Sequence, residues 1–174
     1  LKQTAVLDFA PNGSEAAPWN SGAGPAADAH GNVYVALANG TFDTILNAQG
    51  LPGQGDYGNS ILKLQRSTLA PLDYWTMYNS NSESNGDVDL GSGGLMVLPD
   101  QKDAVGRVRH LAVAAGKDNN LYVIDRDNMG HYDATSNATV YQQLPGALPG
   151  GVWSSPAYFN GHLYYGSVGS AMRS

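Results

Sequence analysis

The chain has 174 residues, a formal charge of −6, 42% apolar but only 14% charged residues, and no cysteine. It is long enough to bury one ordinary core, and the missing thiols exclude a disulfide framework, a thiolate zinc site and a cysteine nucleophile. Lys and Arg are scattered, without the clusters that phosphate neutralisation needs, which argues against a nucleic-acid surface.

Along the chain, Gly, Pro, Asn and Asp break nearly every window before two helical turns are complete. The chain opens on the strand-like alternation "LKQTAVLDFA". "NVYVALA" (32–38) follows as a strand, then "TFDTILNAQG" (41–50) as a short loop helix and "GLPGQGDYG" (50–58) as a mobile surface loop. "SILKLQ" (60–65), "DYWTMY" (73–78), "HLAVAAG" (110–116), "LYVIDR" (121–126), "TVYQQL" (139–144), "SSPAYF" (154–159) and "HLYYGSV" (162–168) are short, β-rich and bounded by turn residues. His30-Gly31, Asp118-Asn119-Asn120 and Asn160-Gly161 each sit between two strand candidates, and such residues tolerate the positive φ of tight hairpins. No apolar run approaches the roughly 18–20 residues that span a bilayer, and no basic-then-apolar secretion signal is present. The abrupt start in one strand-like segment and the stop at "SVGSAMRS" after another suggest a piece of a longer protein.

Stacking the hairpins exposes an internal repeat. "SGAGPAADAHGNVYVALANG" (21–40), "RVRHLAVAAGKDNNLYVIDRDNMG" (107–130) and "VWSSPAYFNGHLYYGSVGSA" (152–171) share a small-residue strand, a polar turn and an apolar strand centred on Tyr. Tyr34, Tyr122 and Tyr164 lie 88 and 42 positions apart, so the first gap is about two repeats. Sheet units at this spacing predict an all-β fold, a β-propeller, with roughly three four-stranded antiparallel blades forming a partial ring or a segment of a larger one. Slim strands such as "GPAAD", "LAVAAG" and "SSPAY" suit first strands crowded near an axis. The expected division is a single propeller segment over 1–174. Residues 1–20 end a preceding blade, 21–80 form a blade-like repeat with an inserted loop at 41–59, 81–149 form a second, and 150–174 start a further blade. Closed propellers take about 4 to 8 blades, so missing blades in a longer chain or self-association of copies is expected to close the ring.

"GKDNNLYVIDRDNMG" (116–130), "DVDLGSGGLMVLPD" (87–100) and "GGVWSSPAYFNGHLYYGSVGSAMRS" (150–174) resemble the repeats of PQQ-like, quinoprotein-type β-propeller proteins, over most of the chain from Pro18 onward. That group includes quinoprotein dehydrogenases and outer-membrane assembly propellers. The dehydrogenases hold a quinone on a calcium ion against a tryptophan floor and a vicinal disulfide. This chain has no cysteine and lacks the family's Ala-x-Asp-x-x-Thr-Gly-Lys-x-x-Trp docking pattern. The resemblance therefore implies a propeller that takes no PQQ. No catalytic, cofactor-binding or metal-binding residue carries over.

The residues offer few sites of their own. Asp125-x-Asp127, with Gly130 and Asp133 nearby, has the oxygens for a calcium loop, but the reading favoured is a turn whose Asp side chains cap their own backbone. In "NSESNGDVDLGS" (81–92), Asn81, Glu83, Asn85, Asp87 and Asp89 alternate around Gly86, while Val88 holds the apolar place. Ser92 stands where an EF-hand needs Glu, so a solvated loop is expected. His30, His110, His131 and His162 are too dispersed for a helical zinc site, and "GSVGS" (166–170) has the wrong order for a nucleophile elbow. Trp19, Trp75 and Trp153 suit either packing or a sugar- or peptide-binding face, with Trp153 expected between blades. The sequons at Asn12, Asn39 and Asn137 matter only in a eukaryotic secretory route.

The function expected from all this is a non-catalytic binding or scaffold module, periplasmic or secreted, whose partner is a protein or a small-molecule or carbohydrate ligand. The alternative is a fragment of a sugar or alcohol oxidoreductase whose active centre lies outside this segment. A WD40-like interaction propeller would need a Trp-Asp ending that no repeat has.

Overall fold

The structure is a computed structural model that describes residues 2–174. It is all-β: four small antiparallel sheets, none of them closed, and one short helix. The first sheet has β1 (Ala26–Ala27), β2 (Val33–Ala36), β3 (Ser60–Leu64) and β4 (Pro71–Thr76) side by side in chain order. The second runs in the order β5 (Met96–Val97), β8 (Leu111–Ala115), β9 (Leu121–Asp125) and β10 (Gln142–Leu144). Between β5 and β8, β6 (Gln101–Lys102) and β7 (Val108–Arg109) pair as a separate hairpin. β11 (Ala157–Phe159) and β12 (His162–Tyr164) form the last one. The six-residue helix α1 (Ser80–Asn85) and a 3-10 turn at Leu90–Ser92 link the two large sheets.

Both large sheets are apolar on both faces, because their central strands are covered on each side. In β2, β3 and β4, alternate residues Tyr34, Ala36, Ile61 and Trp75 face the second sheet, where Ala112, Ala114, Tyr122 and Ile124 meet them in one core. Trp75 packs on Tyr122 with ring centroids 4.7 Å apart. The opposite residues of the first sheet, Val35, Leu37, Leu62, Leu64 and Tyr74, are covered by Ala10, Ala16, Phe42 and Tyr57. On the far face of the second sheet, Val113, Leu121 and Val123 pack with Leu148, Val152 and Tyr165, against Tyr158 and Leu163 of the last hairpin. Three layers thus stack face to face in chain order, and the backbones of β1 and β5 lie against each other.

The turns close as their residues require. Asn160 (φ 50°) and Gly161 (φ 82°) both take the left-handed conformation between β11 and β12, and Asn119 does so (φ 64°) between β8 and β9. Asp28 anchors the β1–β2 hairpin by accepting from His30 N and Asn32 N (both 2.9 Å), Asn32 Nδ2 (3.0 Å) and Tyr34 Oη (2.9 Å). Asp103 repeats the pattern in the β6–β7 hairpin, with Val105 N, Arg107 N and Arg109 Nε as donors. Asp118 repeats it again with Asn120 N, Asn120 Nδ2 and Tyr122 Oη.

Several expectations need correction. "TFDTILNAQG" forms no helix, because Asp43 and Asn47 bond the backbone two residues on, at Ile45 N and Gln49 N (each 2.9 Å), and turn the chain instead. The helix lies at 80–85, overlapping the first half of the stretch 81–92 expected to be a loop. The glycine-rich run at 50–58 ends buried: Asp56 and Tyr57 are 3% and 4% exposed, and Tyr57 N donates to Phe9 O at 2.8 Å. The tyrosine register also shifts. Tyr34 lies on the second strand of its sheet and Tyr122 on the third, so "LAVAAG" is an interior strand and Met96–Val97 is the first.

Candidate functional site

The corner Asp125–Gly130 is a turn, as its residues suggest, and it also joins the two large sheets. Asp125 Oδ1 accepts from Asp127 N at 3.0 Å, and Asp125 O accepts from Asn128 N at 3.2 Å. From the first sheet, Lys63 Nζ donates to Arg126 O (2.8 Å) and Asp73 Oδ2 accepts from Met129 N (3.0 Å). Met129 plugs the shared core at 1% exposure. Cross-strand register explains the fit, since Tyr34, Lys63 and Asp73 stand in one row across β2, β3 and β4.

Beside this corner the sheets leave a cleft of about 220 Å³. Its floor holds Asp28, Tyr34, Lys63 and Arg126, and its rim holds Asp100, His110 and Asp127. Arg126 is 8% exposed. Its Nε donates to Leu111 O at 3.2 Å, its guanidinium carbon lies 5.8 Å above the Tyr34 ring, and Nη1 approaches Asp28 Oδ2 only to 3.7 Å. Asp28 has no better geometry to give, because its oxygens already serve four donors of its own hairpin. Burial works against the Asp28 carboxylate, but the hydrogen bonds from Asn32, Tyr34 and His30 outweigh it and hold its carboxyl below the ordinary value of 3.8. Burial also pushes the Tyr34 hydroxyl above the usual phenol range. On the rim, His110 Nδ1 lies 2.7 Å from Asp127 Oδ2, and Nε2 lies 3.8 Å from Asp100 Oδ1.

A second charged cluster ties the sheets at their other end. Asp89, 1% exposed, takes Asn39 N on Oδ1 (2.7 Å) and Lys117 Nζ on Oδ2 (2.5 Å). Lys117 Nζ also reaches Asp87 O (2.9 Å) and Asp87 Oδ1 (3.0 Å). Gly91 and Gly116 permit this junction: a Cβ on Gly116 would lie 2.3 Å from Asp89 O, and one on Gly91 would lie 2.5 Å from Leu37 C. The ion pairs here are fully used in joining segments.

The calcium candidates do not converge. Asp125 and Asp127 turn to different partners, Arg109 and His110, while Asp133 accepts from Thr135 and Ser136 in its own turn. Asn81 bonds Phe42 N and O (each 3.3 Å), Glu83 accepts from Asn79, and Asp87 and Asp89 bind Lys117. Among the described residues no group of three or more His, Asp or Glu is placed to hold a metal ion. His30 and His162 are exposed. His131 stacks on Tyr74 with its Nε2 3.0 Å from Asp73 Oδ1. Trp75 is wholly buried, whereas Trp19 and Trp153 are 55% and 45% exposed, so Trp153 is a surface residue and the three share no face. Sequence reasoning passed over Arg126 and Lys63; the one available signal was a lone Arg between two acids at a strand end. No helix among the described residues is long and apolar enough to cross a membrane. Compared with known proteins, the chain matches no family model, and no curated protein matches it either.

Proposed function

We propose that this chain is a segment of a PQQ-like β-propeller that serves, outside the cytoplasm, as a non-catalytic binding or scaffold module. The observation that carries the reading is repetition in space. Two four-stranded antiparallel sheets stack face to face, and a third hairpin packs on the far face of the second. An Asp-clamped turn joins neighbouring strands in each large sheet, with Asp28 between β1 and β2 and Asp118 between β8 and β9. Side-chain bulk between the sheets supports a fanned arrangement. Ala26 and Val97 fill the space beside β1 and β5, while Trp75, Tyr122 and Met129 fill it farther along. The non-catalytic part rests on the sequence, which has neither the cysteine pair nor the docking pattern of the quinone-dependent enzymes.

Titration calorimetry with PQQ and Ca²⁺, paired with a dye-linked alcohol oxidation assay, tests the reading. No uptake and no turnover are expected. Tight PQQ binding with turnover would overturn it in favour of an oxidoreductase segment. Native mass spectrometry adds a check on ring closure, for which an assembly or parent about twice 18.3 kDa or larger is expected.

A further inference from the structure

The cleft beside the Asp125–Gly130 corner is polarised by depth. At its floor, Arg126 and Lys63 bring two cations. Arg126 is more than nine-tenths buried, and among the described residues its only hydrogen bond is the one from Nε to Leu111 O. A planar guanidinium offers five N–H donors; beyond Nε, the Arg126 fork has the long ion pair to Asp28 (3.7 Å) and the Tyr34 ring, with no further hydrogen bond among the described residues. Lys63 Nζ gives one of its three donors, to Arg126 O. The one acid at this depth, Asp28, is 5% exposed in its side chain and already accepts from four donors. At the rim the sign reverses. Asp100 and Asp127 are 68% and 65% exposed in their side chains, flanking His110.

An oxyanion alone would satisfy the floor but meet the rim's two carboxylates. A cation alone would meet the rim and add nothing to the guanidinium's long ion pair with Asp28. Two cationic side chains at the floor and two carboxylates at the rim are complemented together only by a ligand that carries both signs. We infer that this cleft binds a small zwitterion of the amino-acid class, with its carboxylate on Arg126 and Lys63 and its ammonium toward Asp127 and Asp100. The volume, about 220 Å³, suits a ligand of that size.

The test is a ¹H–¹⁵N chemical-shift titration of the whole chain with glycine, β-alanine and 4-aminobutyrate, which space the two charges differently. Acetate and methylammonium serve as single-ended probes. One zwitterion is expected to shift the amides of residues 28–34, 110–111 and 126–127 with saturation, and to bind about tenfold or more tightly than either single-ended probe. Arg126→Gln should remove that binding. Lys63→Met should weaken it about tenfold, and Asp127→Asn should reduce the best zwitterion to the level of acetate. Lys63→Met also serves as the deciding variant if Arg126→Gln loses its dispersed spectrum. Acetate binding as tightly as every zwitterion, Lys63→Met binding like the unaltered chain, or no saturable shift at these residues by about 10 mM of any zwitterion would each overturn the assignment. PQQ uptake would remove the propeller-module reading and leave the cleft as it is. Failure of the zwitterion series would do the reverse.

Discussion

Replacing Asp28 with Ala removes one side chain that organises a whole hairpin. Its carboxylate accepts from two backbone amides, the Asn32 amide and the Tyr34 hydroxyl, all within 2.9–3.0 Å. His30 is exposed, so water replaces the acceptor at that amide at little cost. Tyr34 is 0% exposed, and stranding its hydroxyl costs about 1–3 kcal/mol. Adding the lost charge-assisted bonds to Asn32 gives a total of about 3 kcal/mol, since such terms do not sum fully. At this chain length each kcal/mol lowers the melting midpoint by about 2–4 °C, so a fall of about 6–12 °C is expected. Tyr34→Phe removes a donor without orphaning a buried group and should cost about 1 kcal/mol. Since the double variant no longer contains the orphaned hydroxyl, it should be about 1 kcal/mol more stable than the two single losses added together. The effect is also pH-dependent with a definite sign. The folded carboxyl is held below 3.8, so on acidification the unfolded chain takes up the proton first. The contribution is therefore whole above about pH 5 and drains away as pH falls through and below the ordinary carboxyl value. Thermal melts and urea titrations of the four proteins at neutral pH and near pH 3 measure all of this. A midpoint fall of under about 2 °C for Asp28→Ala, or strict additivity in the double variant, would refute the reasoning.

Gly116→Ala places a methyl 2.3 Å from the Asp89 carbonyl oxygen and should destabilise by about 1–3 kcal/mol or more. Gly24→Ala, where a Cβ meets nothing within 4 Å, should melt almost unchanged; equal melting curves for the two would sink the close-approach account. Lys117→Met leaves the 1%-exposed Asp89 carboxylate without its cation and should cost about 3–5 kcal/mol in urea unfolding. Adding Asp89→Asn to that variant should recover part of the loss. With Trp19 and Trp153 both replaced by Phe, the remaining fluorescence comes from Trp75 at 0% exposure. It should be blue-shifted and resistant to acrylamide, and easy quenching would mean that the core between the sheets is open.

The eight named strand candidates each overlap an observed strand, whereas the strand-like alternation at the start of the chain forms none over residues 2–10, so alternation alone does not make a strand where no neighbour pairs with it. The two-residue strands at 26–27, 96–97, 101–102 and 108–109 carry no period to detect, and missing Met96–Val97 is what shifted the repeat by one strand. Helix α1 escaped notice for a related reason. "SNSESN" is polar throughout, so it has no apolar stripe. Its anchors are distant in sequence: Ser80 Oγ donates to Gly58 O at 3.2 Å and Ser84 Oγ to Gly40 O at 3.0 Å. The turn at Asp125–Asn128 was legible from Asx chemistry alone, whereas the cleft depends on Lys63 and Asp28 meeting a corner far along the chain. Nothing local to Arg126 encodes that meeting.

The outer borders of the two large sheets bear on solubility. β1, β5 and β10 are two or three residues long, too short to template the growth of a foreign strand. β4 is the one longer border. It begins with Pro71, which has no amide hydrogen to offer, and its Tyr74 carbonyl is already taken by His131 N at 3.0 Å. These borders therefore offer little to strand-by-strand polymerisation, and because the bond to Tyr74 O comes from the His131 backbone, a change that removes that amide, such as His131→Pro, is what would unmask the long border.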